Sequence, residues 1–502
     1  MRKGDILEEH FVTFCVDFAQ KREGDEGKTT VSGKVRVRKD LKPEAIVMNQ
    51  YSKWESGRAS LGLVAQQVKR MRLWEAIEDR VVIGQKKVTY DPSDKLKVAW
   101  VNMLCGNKGL VQINSHVRPE VALWRMFGLK ACAEQSTVSR TLAACDAASV
   151  EGMREAMRHI LHQHSQAYRH NYGRHIQVLD VDVSGLPSQG KGEGVAWGYC
   201  DQLGKLAPGR QLGRVLATGS NEILHEQLAD GKQQLGVLLH GLVTETEQVL
   251  DLDANRRGRT LLRMDSGGGD EADVNWLLRR GYLILTKMAG SQRAAKLARQ
   301  IPASAWVSDP RQPHRQLAWL PNGMTYERPT QQVVERWVTS PQHKLHYAVL
   351  VTNAPPALLQ ELNPTLDLPL SGDPALLQLA YAYDLRSGAL ESCNRADKQA
   401  FGLHHPYTHV FHAQQMLLLL AQLAHNLLTW IALRLRSHLS KPIGLQRLLH
   451  DALSISGHLY FDPQGQLVGL VLNPLHPFAR PLVLAFSKEW ASLKYPLLLR
   501  EI

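Results

Sequence analysis

Ile176-Gln177-Val178-Leu179-Asp180-Val181-Asp182-Val183-Ser184 reads as one β-strand that carries two acids. Apolar and β-branched residues dominate the run, and Asp180 and Asp182, two apart, project from the same face of a strand. Farther along, Leu212 to Thr218, Gln234 to Val243, Leu261 to Met264 and Tyr282 to Thr286 also read as strand-like apolar runs, and a helix is expected over Asp270 to Arg279. Strands mixed with helices predict a mixed α/β domain. One of these runs, Leu261-Leu262-Arg263-Met264-Asp265, ends on an acid and leads into Ser266-Gly267-Gly268-Gly269. Those glycines allow a backbone, a substrate or a metal ion to approach closely.

The flanks read differently. Residues 1–94 mix short β-like runs (Lys34 to Arg38, Arg80 to Ile83) with a helix expected over Ser60 to Ile77. Residues 95–173 carry apolar positions at three- and four-residue spacing and read as mainly helical. Within them, Gln135-Ser136-Thr137-Val138-Ser139-Arg140-Thr141-Leu142 admits two readings. In a helix-turn-helix, Thr137, Ser139 and Arg140 would face a DNA major groove while Val138 and Leu142 anchor the helix; otherwise this is a plain amphipathic helix with a serine cap. Residues 291–370, with alternating runs at Gln316 to Leu320 and Leu345 to Val351, predict an all-β insertion. Residues 371–440 return to long helices, and 441–502 predict a helix over Leu445 to Leu453 and a hairpin around Asp462-Pro463-Gln464-Gly465.

Composition narrows the function classes. The 502 residues include 60 Lys and Arg against 48 Asp and Glu, a net charge of +12. With 44% hydrophobic and 22% charged residues, wholesale disorder is excluded. The basic surplus points to a polyanion, nucleic acid or an anionic membrane surface. Six cysteines without a Cys-x-x-Cys pair exclude a zinc ribbon and a disulfide scaffold. Met1 to Glu9 lacks the layout of a signal peptide, and the apolar run Met416 to Leu435 holds Gln422, His425, Asn426 and Arg434, so a buried core helix is expected there. A cytoplasmic protein with no membrane partner follows. The sequence contains no phosphate-binding Gly-x-x-x-x-Gly-Lys-Ser/Thr loop, so no ATP dependence is expected, and no Gly-x-Ser-x-Gly elbow, which counts against a Ser/His/Asp triad.

A third acid, Glu391, stands seven residues before Lys398. Three carboxylates brought together would suit two Mg²⁺ or Mn²⁺ ions, which activate a water or a 3′-hydroxyl and stabilise a leaving oxygen. Basic residues gather beside Asp265 in the sequence: Arg256, Arg257, Arg259 and Arg263 before it, Arg279 and Arg280 after it, with Arg210 and Arg214 upstream. Phosphate contact is the expectation for them. His405, His409 and His412, at helical spacings, are a weaker metal candidate, and Trp306, Trp319 and Trp337 lie in the β-rich stretch.

In combination these motifs resemble the bacterial DDE transposases of insertion sequences. The resemblance runs from Ser136 to Leu433 and rests on Leu179-Asp180-Val181-Asp182-Val183-Ser184, Gly213-Arg214-Val215-Leu216-Ala217-Thr218, Arg263-Met264-Asp265-Ser266, and Tyr383-x-x-Arg386 ahead of Glu391 and Lys398. Ala413-Gln414-Gln415-Met416 and Leu423-Ala424-His425-Asn426 add to it. It implies a ribonuclease-H-like catalytic core in two parts, 174–290 and 371–440, around the insertion, with a DNA-recognising helical region ahead of it. It implies Asp182, with Asp180 as fallback, Asp265 and Glu391 as catalytic acids and ligands of two Mg²⁺ or Mn²⁺ ions. Lys398, Arg386 and Tyr383 would bind phosphate, joined by Arg263 and Arg210, with Arg140, Ser139 and Thr137 on DNA. An aromatic of the insertion would stack on a base.

One departure stands out: four residues, Ser387 to Leu390, separate Arg386 from Glu391 where the family has three. On an unbroken helix the extra residue turns Glu391 about 100° away, unless Gly388 permits a bulge. The implied activity is cleavage at terminal inverted repeats and strand transfer into target DNA, by a homodimer or larger assembly in the bacterial nucleoid. A non-catalytic helix-turn-helix protein and an Mg²⁺-dependent nuclease without strand transfer are the rival readings.

Overall fold

The computed structural model describes residues 51–85, 89–188, 191–200, 203–339, 344–362, 373–403 and 408–490. The run Lys34 to Arg38 and His405 lie outside them. Two units emerge, one from residues up to Arg70, Asn114–Cys132 and Ile431 onward, the other from Met71–Ile113 and Ala133–Trp430.

In the first unit, β1 (Ser52–Ser56) pairs antiparallel with β12 (Gly457–Phe461), which pairs with β13 (Leu467–Leu472). The hairpin turn falls at the expected Asp462–Gly465, where Gly465 takes a φ of 77° that a side chain would resist. Helix α1 (Leu61–Arg70) lays Gly62 on Leu459, Leu467 and Leu470. The unit also contains α4 (Val121–Met126), α15 (Leu445–Arg447) and α16 (Ala479–Trp490). The single helix expected over Ser60 to Ile77 is two: Arg72 adopts a left-handed φ of 52°, and α2 (Leu73–Glu78) restarts beyond it. Each half buries its own apolar set, Leu61, Val64 and Val68 in α1 and Leu73, Trp74 and Ile77 in α2.

The second unit opens with α2, α3 (Pro92–Leu104), α5 (Gln135–Ala143) and α6 (Ala147–His164). Trp74 and Trp100 pack with ring centroids 5.6 Å apart. Asp146 and Ser149 form a capping box at the start of α6. Arg80 to Ile83, expected as β-like, pairs with no strand. It lies along α6, where Gly152 has no Cβ to strike the Arg80 carbonyl and Ser149 Oγ donates to the Val82 carbonyl at 2.9 Å.

The quoted stretch becomes β2 (Gln177–Pro187), at the heart of a ten-stranded sheet. β3 (Ala196–Cys200) and β5 (Glu222–Asp230) both pair with β4 (Lys205–Ala217), and β4 pairs antiparallel with β2. On its other side β2 runs parallel to β6 (Thr260–Arg263), and β6 parallel to β7 (Leu283–Lys287). The order β5-β4-β2-β6-β7, three antiparallel strands followed by two parallel to the first, is that of a ribonuclease-H-like core. Gln234 to Val243, expected as a strand, is instead part of α7 (Leu235–Leu250), the crossover from β5 toward β6. Leu235, Leu238, Leu239, Leu242 and Val243 recur at helical spacing and are buried along one face. Short α8 (Ala254–Arg257) follows, and α9 (Glu271–Arg280) makes the crossover between the parallel pair.

Residues 291–362 contribute α10 (Ser291–Ala298), then β8 (Val307–Ser308), β9 (Arg315–Trp319), β10 (Gln331–Thr339) and β11 (Lys344–Thr352), then α11 (Pro356–Glu361). The insertion thus carries two helices beside its strands. β11 pairs antiparallel with β7, Leu350 opposite Lys287, so the strands extend the core sheet. Helix α12 (Pro374–Arg386) lies over this junction, sharing a buried cluster in which Leu261, Leu285, Leu317, Val333 and Leu350 meet Leu376, Leu377 and Ala380. Helices α13 (Ser392–Ala400) and α14 (Phe411–Leu435) complete the set. The apolar stretch from Phe411 is 89% buried over its most hydrophobic window, as expected of a core helix. Its polar residues face the sheet: Asn426 accepts the Ile223 N–H at 2.8 Å and donates to the Ile223 carbonyl at 2.9 Å, and Gln422 donates to the same carbonyl at 3.0 Å.

Candidate active site

The register of β2 on β6 sets the level of the acids. Asp180 is opposite Arg263, the last residue of β6, so Asp182 continues β2 beside the turn that leaves β6 and carries Asp265. Asp180 is fully buried, and Arg263 grips it twice, Nε to Oδ1 at 2.7 Å and Nη2 to Oδ2 at 3.0 Å. Nη1 of the same arginine donates to the Ala382 carbonyl at 2.8 Å. The inner acid therefore fastens α12 to the sheet. Burial raises its carboxyl above the ordinary range, and the Arg263 charge only partly offsets the rise.

Asp182 faces a different neighbourhood. Its carboxyl is pushed up to about 7, first by burial, with Arg386 pulling the other way and the charges of Asp265 and Glu391 adding to the rise. Asp265 lies two residues past the end of β6 and caps the short turn that follows. Its side chain accepts the Gly267 N–H at 2.8 Å, and its carbonyl accepts from Thr286 Oγ1 at 3.0 Å. The glycines after it serve backbone contact: a Cβ on Gly269 would fall 1.7 Å from the Lys287 carbonyl oxygen.

Arg386 stands among these acids. Nη1 is 3.5 Å from Asp182 Oδ2 and Nη2 is 3.7 Å from Glu391 Oε1, while Nε and Nη1 have no hydrogen-bond partner although the residue is only 7% exposed. The extra residue between Arg386 and Glu391 is absorbed by a π-helical turn over Ser387–Glu391. A π-turn takes up one residue more than an α-turn, so Glu391 returns to the Arg386 side. Tyr383, one turn earlier, is buried beside Arg386, its ring centroid 5.9 Å from the guanidinium carbon.

Lys287 escapes a reading of the sequence. It ends β7, next to the strand that delivers Asp265, and its Nζ is 2.8 Å from Glu335 Oε1, 5.0 Å from the Tyr383 ring centroid and 5.5 Å from that of Trp337. Its position at the carboxyl end of a parallel strand was the available signal.

Several expected phosphate binders turn inward. Lys398 is 2% exposed; its ammonium donates to Ser184 Oγ and, at 3.0 Å, to the Gly185 carbonyl. Arg210 donates to the carbonyls of Glu193 and His409, both at 2.8 Å. Arg214 is buried between Glu226, Asp397 and Asn394. Arg256 and Arg257 cap the end of α7 through the carbonyls of Leu250, Asp251 and Leu252. Arg259 reaches the Tyr172 carbonyl, Arg279 pairs with Glu327, and Arg280 with Glu247. On α5, Arg140 is exposed and Thr137 and Ser139 are half-exposed. Trp306 is covered by the Arg336 guanidinium at 4.0 Å, and Trp319 Nε1 donates to Asp373 at 2.5 Å.

Cys393, Asp397 and His425 come close enough to hold a metal ion, but their atoms have other partners. His425 Nδ1 bonds Asp397 at 2.8 Å, and Nε2 bonds the Asn221 carbonyl at 2.9 Å. Burial opposes charge on the imidazole, yet the Asp397 carboxylate outweighs it and holds His425 protonated well above its ordinary range. With both ring nitrogens donating and Arg214 2.8 Å from Asp397, this is an ion-pair knot that ties α13 to β4 and α14.

The other acid set differs in kind. Asp182, Asp265 and Glu391 offer hard carboxylate oxygens; burial raises the Asp182 carboxyl first, and the charges of Asp265 and Glu391 add to the rise. Such a donor set fits Mg²⁺ or Mn²⁺. Glu391, with its side chain 47% exposed, keeps one side open to solvent.

A model of the family described as transposase DDE domain group 1 matches residues 56–460. No curated protein matches the chain. Among solved structures, a chain from the cryo-EM structure of a piggyBac transposase synaptic complex with hairpin DNA aligns at a TM-score of 0.41 and 12% identity, covering 80% of this chain and 82% of that one.

Proposed function

The chain belongs to the transposase DDE domain family, and from that premise we propose that it cuts DNA at the terminal inverted repeats of a transposon and joins the freed ends to target DNA. The observation that carries this reading is the meeting of Asp182, Asp265 and Glu391 around Arg386. Asp182, Asp265 and Glu391 are the catalytic acids and would hold two Mg²⁺ or Mn²⁺ ions. Bound there, the ions lower the pKa of water or of a 3′-hydroxyl and stabilise the leaving oxygen.

The chain's own residues do the positioning. Strand β2 carries Asp182, the turn after the parallel strand β6 carries Asp265, and the π-turn brings Glu391 from the helical side. Arg386, with two nitrogens free of hydrogen bonds, is placed to donate to a phosphate oxygen, and Tyr383 supports it. In the first step a water oxygen bonds to phosphorus as the bond to the 3′-oxygen breaks, leaving a 3′-hydroxyl. In the second, that hydroxyl attacks a target phosphodiester, whose own 3′-oxygen leaves. Thr137, Ser139 and Arg140 on α5 contact the duplex, and cutting two ends together requires a homodimer or larger assembly.

Purified protein incubated with Mg²⁺ and DNA bearing the element's inverted repeats should give cleaved and joined products. Cleavage without joining would leave a nuclease, and binding without cleavage a DNA-binding protein.

A further inference from the structure

Arg386 has two relationships that pull in different directions. It is buried, and its guanidinium is 3.5 Å from Asp182 and 3.7 Å from Glu391, yet Nε and Nη1 make no hydrogen bond. A guanidinium settled in its final place would be gripped as Arg263 is by Asp180, with two bonds of 2.7 and 3.0 Å. Arg386 instead neutralises the acids at a distance and keeps free donors. The charges of Asp182, Asp265 and Asp180 all act on it.

We propose that Arg386 is the resident counter-ion of the acid cluster, holding Asp182 and Glu391 together in the metal-free protein and competing with a divalent cation for them. The inference rests on the assignment of Asp182, Asp265 and Glu391 as metal ligands. Both cations answer the same charge, so each weakens the other's hold. The π-turn makes this arrangement possible, since it sets Arg386 and Glu391 side by side. When a divalent cation takes the carboxylates, the guanidinium's free donors become available to a phosphate. Arg386 thereby couples metal loading to DNA contact.

The test measures Mn²⁺ binding to the full-length protein without DNA, by calorimetry and by the electron paramagnetic resonance of free Mn²⁺. Arg386→Gln, which removes the charge at similar length, should tighten the Mn²⁺ dissociation constant about tenfold or more, because it removes a cation that repels the metal. Arg386→Lys, which keeps the charge, should stay near the parent. The Gln variant should also melt at a lower temperature than the parent in EDTA and regain more on adding Mn²⁺. Unchanged or weaker Mn²⁺ binding by a folded Arg386→Gln overturns the counter-ion role, while the metal-ligand assignment survives if Asp265→Asn abolishes binding. If the parent binds no Mn²⁺, both fall.

Discussion

Arg386 and Glu391, five positions apart, are side by side, Nη2 3.7 Å from Oε1, because the turn between them is π-helical. An α-helix would carry Glu391 about 100° farther round. Deleting Gly388, which is exposed and meets no atom within 4 Å of an added Cβ, should restore an α-turn and leave Glu391 facing Arg386. The deletion variant should keep DNA cleavage within about tenfold of the parent, roughly 1.4 kcal/mol in barrier. Inserting one alanine after Gly388 should abolish it. Equal loss in both variants, with helix content retained by circular dichroism, would show that the turn does not act as a register device.

Asp265→Ala should lower cleavage at inverted-repeat DNA by at least about 100-fold, since a ligand carboxylate is removed from the reacting centre. DNA affinity measured by anisotropy should stay within a factor of a few. Cutting that persists would remove Asp265 from the site.

The raised carboxyl of Asp182 makes metal-free stability depend on pH. The folded protein keeps this proton up to about 7, whereas an ordinary aspartate releases it near 3.8. Stability from this group is therefore fully present below about 4 and declines as pH rises toward 7, by a few kcal/mol at most at ~1.4 kcal/mol per unit. Urea titrations in EDTA at pH 4.5, 6 and 7.5 should show the decline in the parent, a smaller one in Asp182→Asn, and recovery on adding Mg²⁺. Identical slopes in parent and variant would refute the assignment.

Lys398 holds α13 to β2 through Ser184 and Gly185. Lys398→Ala removes the charged donor to both groups and should destabilise folding by about 1–3 kcal/mol. A phosphate-gripping lysine would instead show its loss in the salt dependence of DNA binding. The prediction is a lower urea midpoint with an unchanged salt slope.

Asp397 sits between Arg214 and His425, both buried cations. Asp397→Asn removes their shared anion and should cost about 3–5 kcal/mol, as for breaking a buried pair. The imidazole signals of His425 in NMR should move from the charged toward the neutral form near pH 7. A loss below about 1 kcal/mol would mean that the pairing contributes little.

Much of the core was legible because its signals are local. Val178, Leu179, Val181 and Val183 mark β2 whatever lies beside it; Asp182 interrupts that apolar run, and Asp265 and Glu391 stand at turns. The extra residue before Glu391 was visible as a departure, and only the backbone could show how it is absorbed. Leu235 to Val243 misled because a short apolar run fits a buried strand as well as a helix until its full length is considered. The arginines around Asp265 misled for another reason: charge can be read from sequence, but a partner such as the Leu250 carbonyl or Asp180 is set by the tertiary fold. The pairing of β11 with β7 joins residues far apart along the chain, and no periodicity records it.

That last pairing has a mechanical consequence. Leu350 stands opposite Lys287, the residue β7 delivers beside Tyr383, and the Met288 N–H bonds the Val349 carbonyl at 2.8 Å next to that pair, so the insertion is joined to β7 by a sheet ladder and not by a hinged loop. A load applied to its outer strands would travel through the shared sheet as torque and reach the lysine without a joint to absorb it.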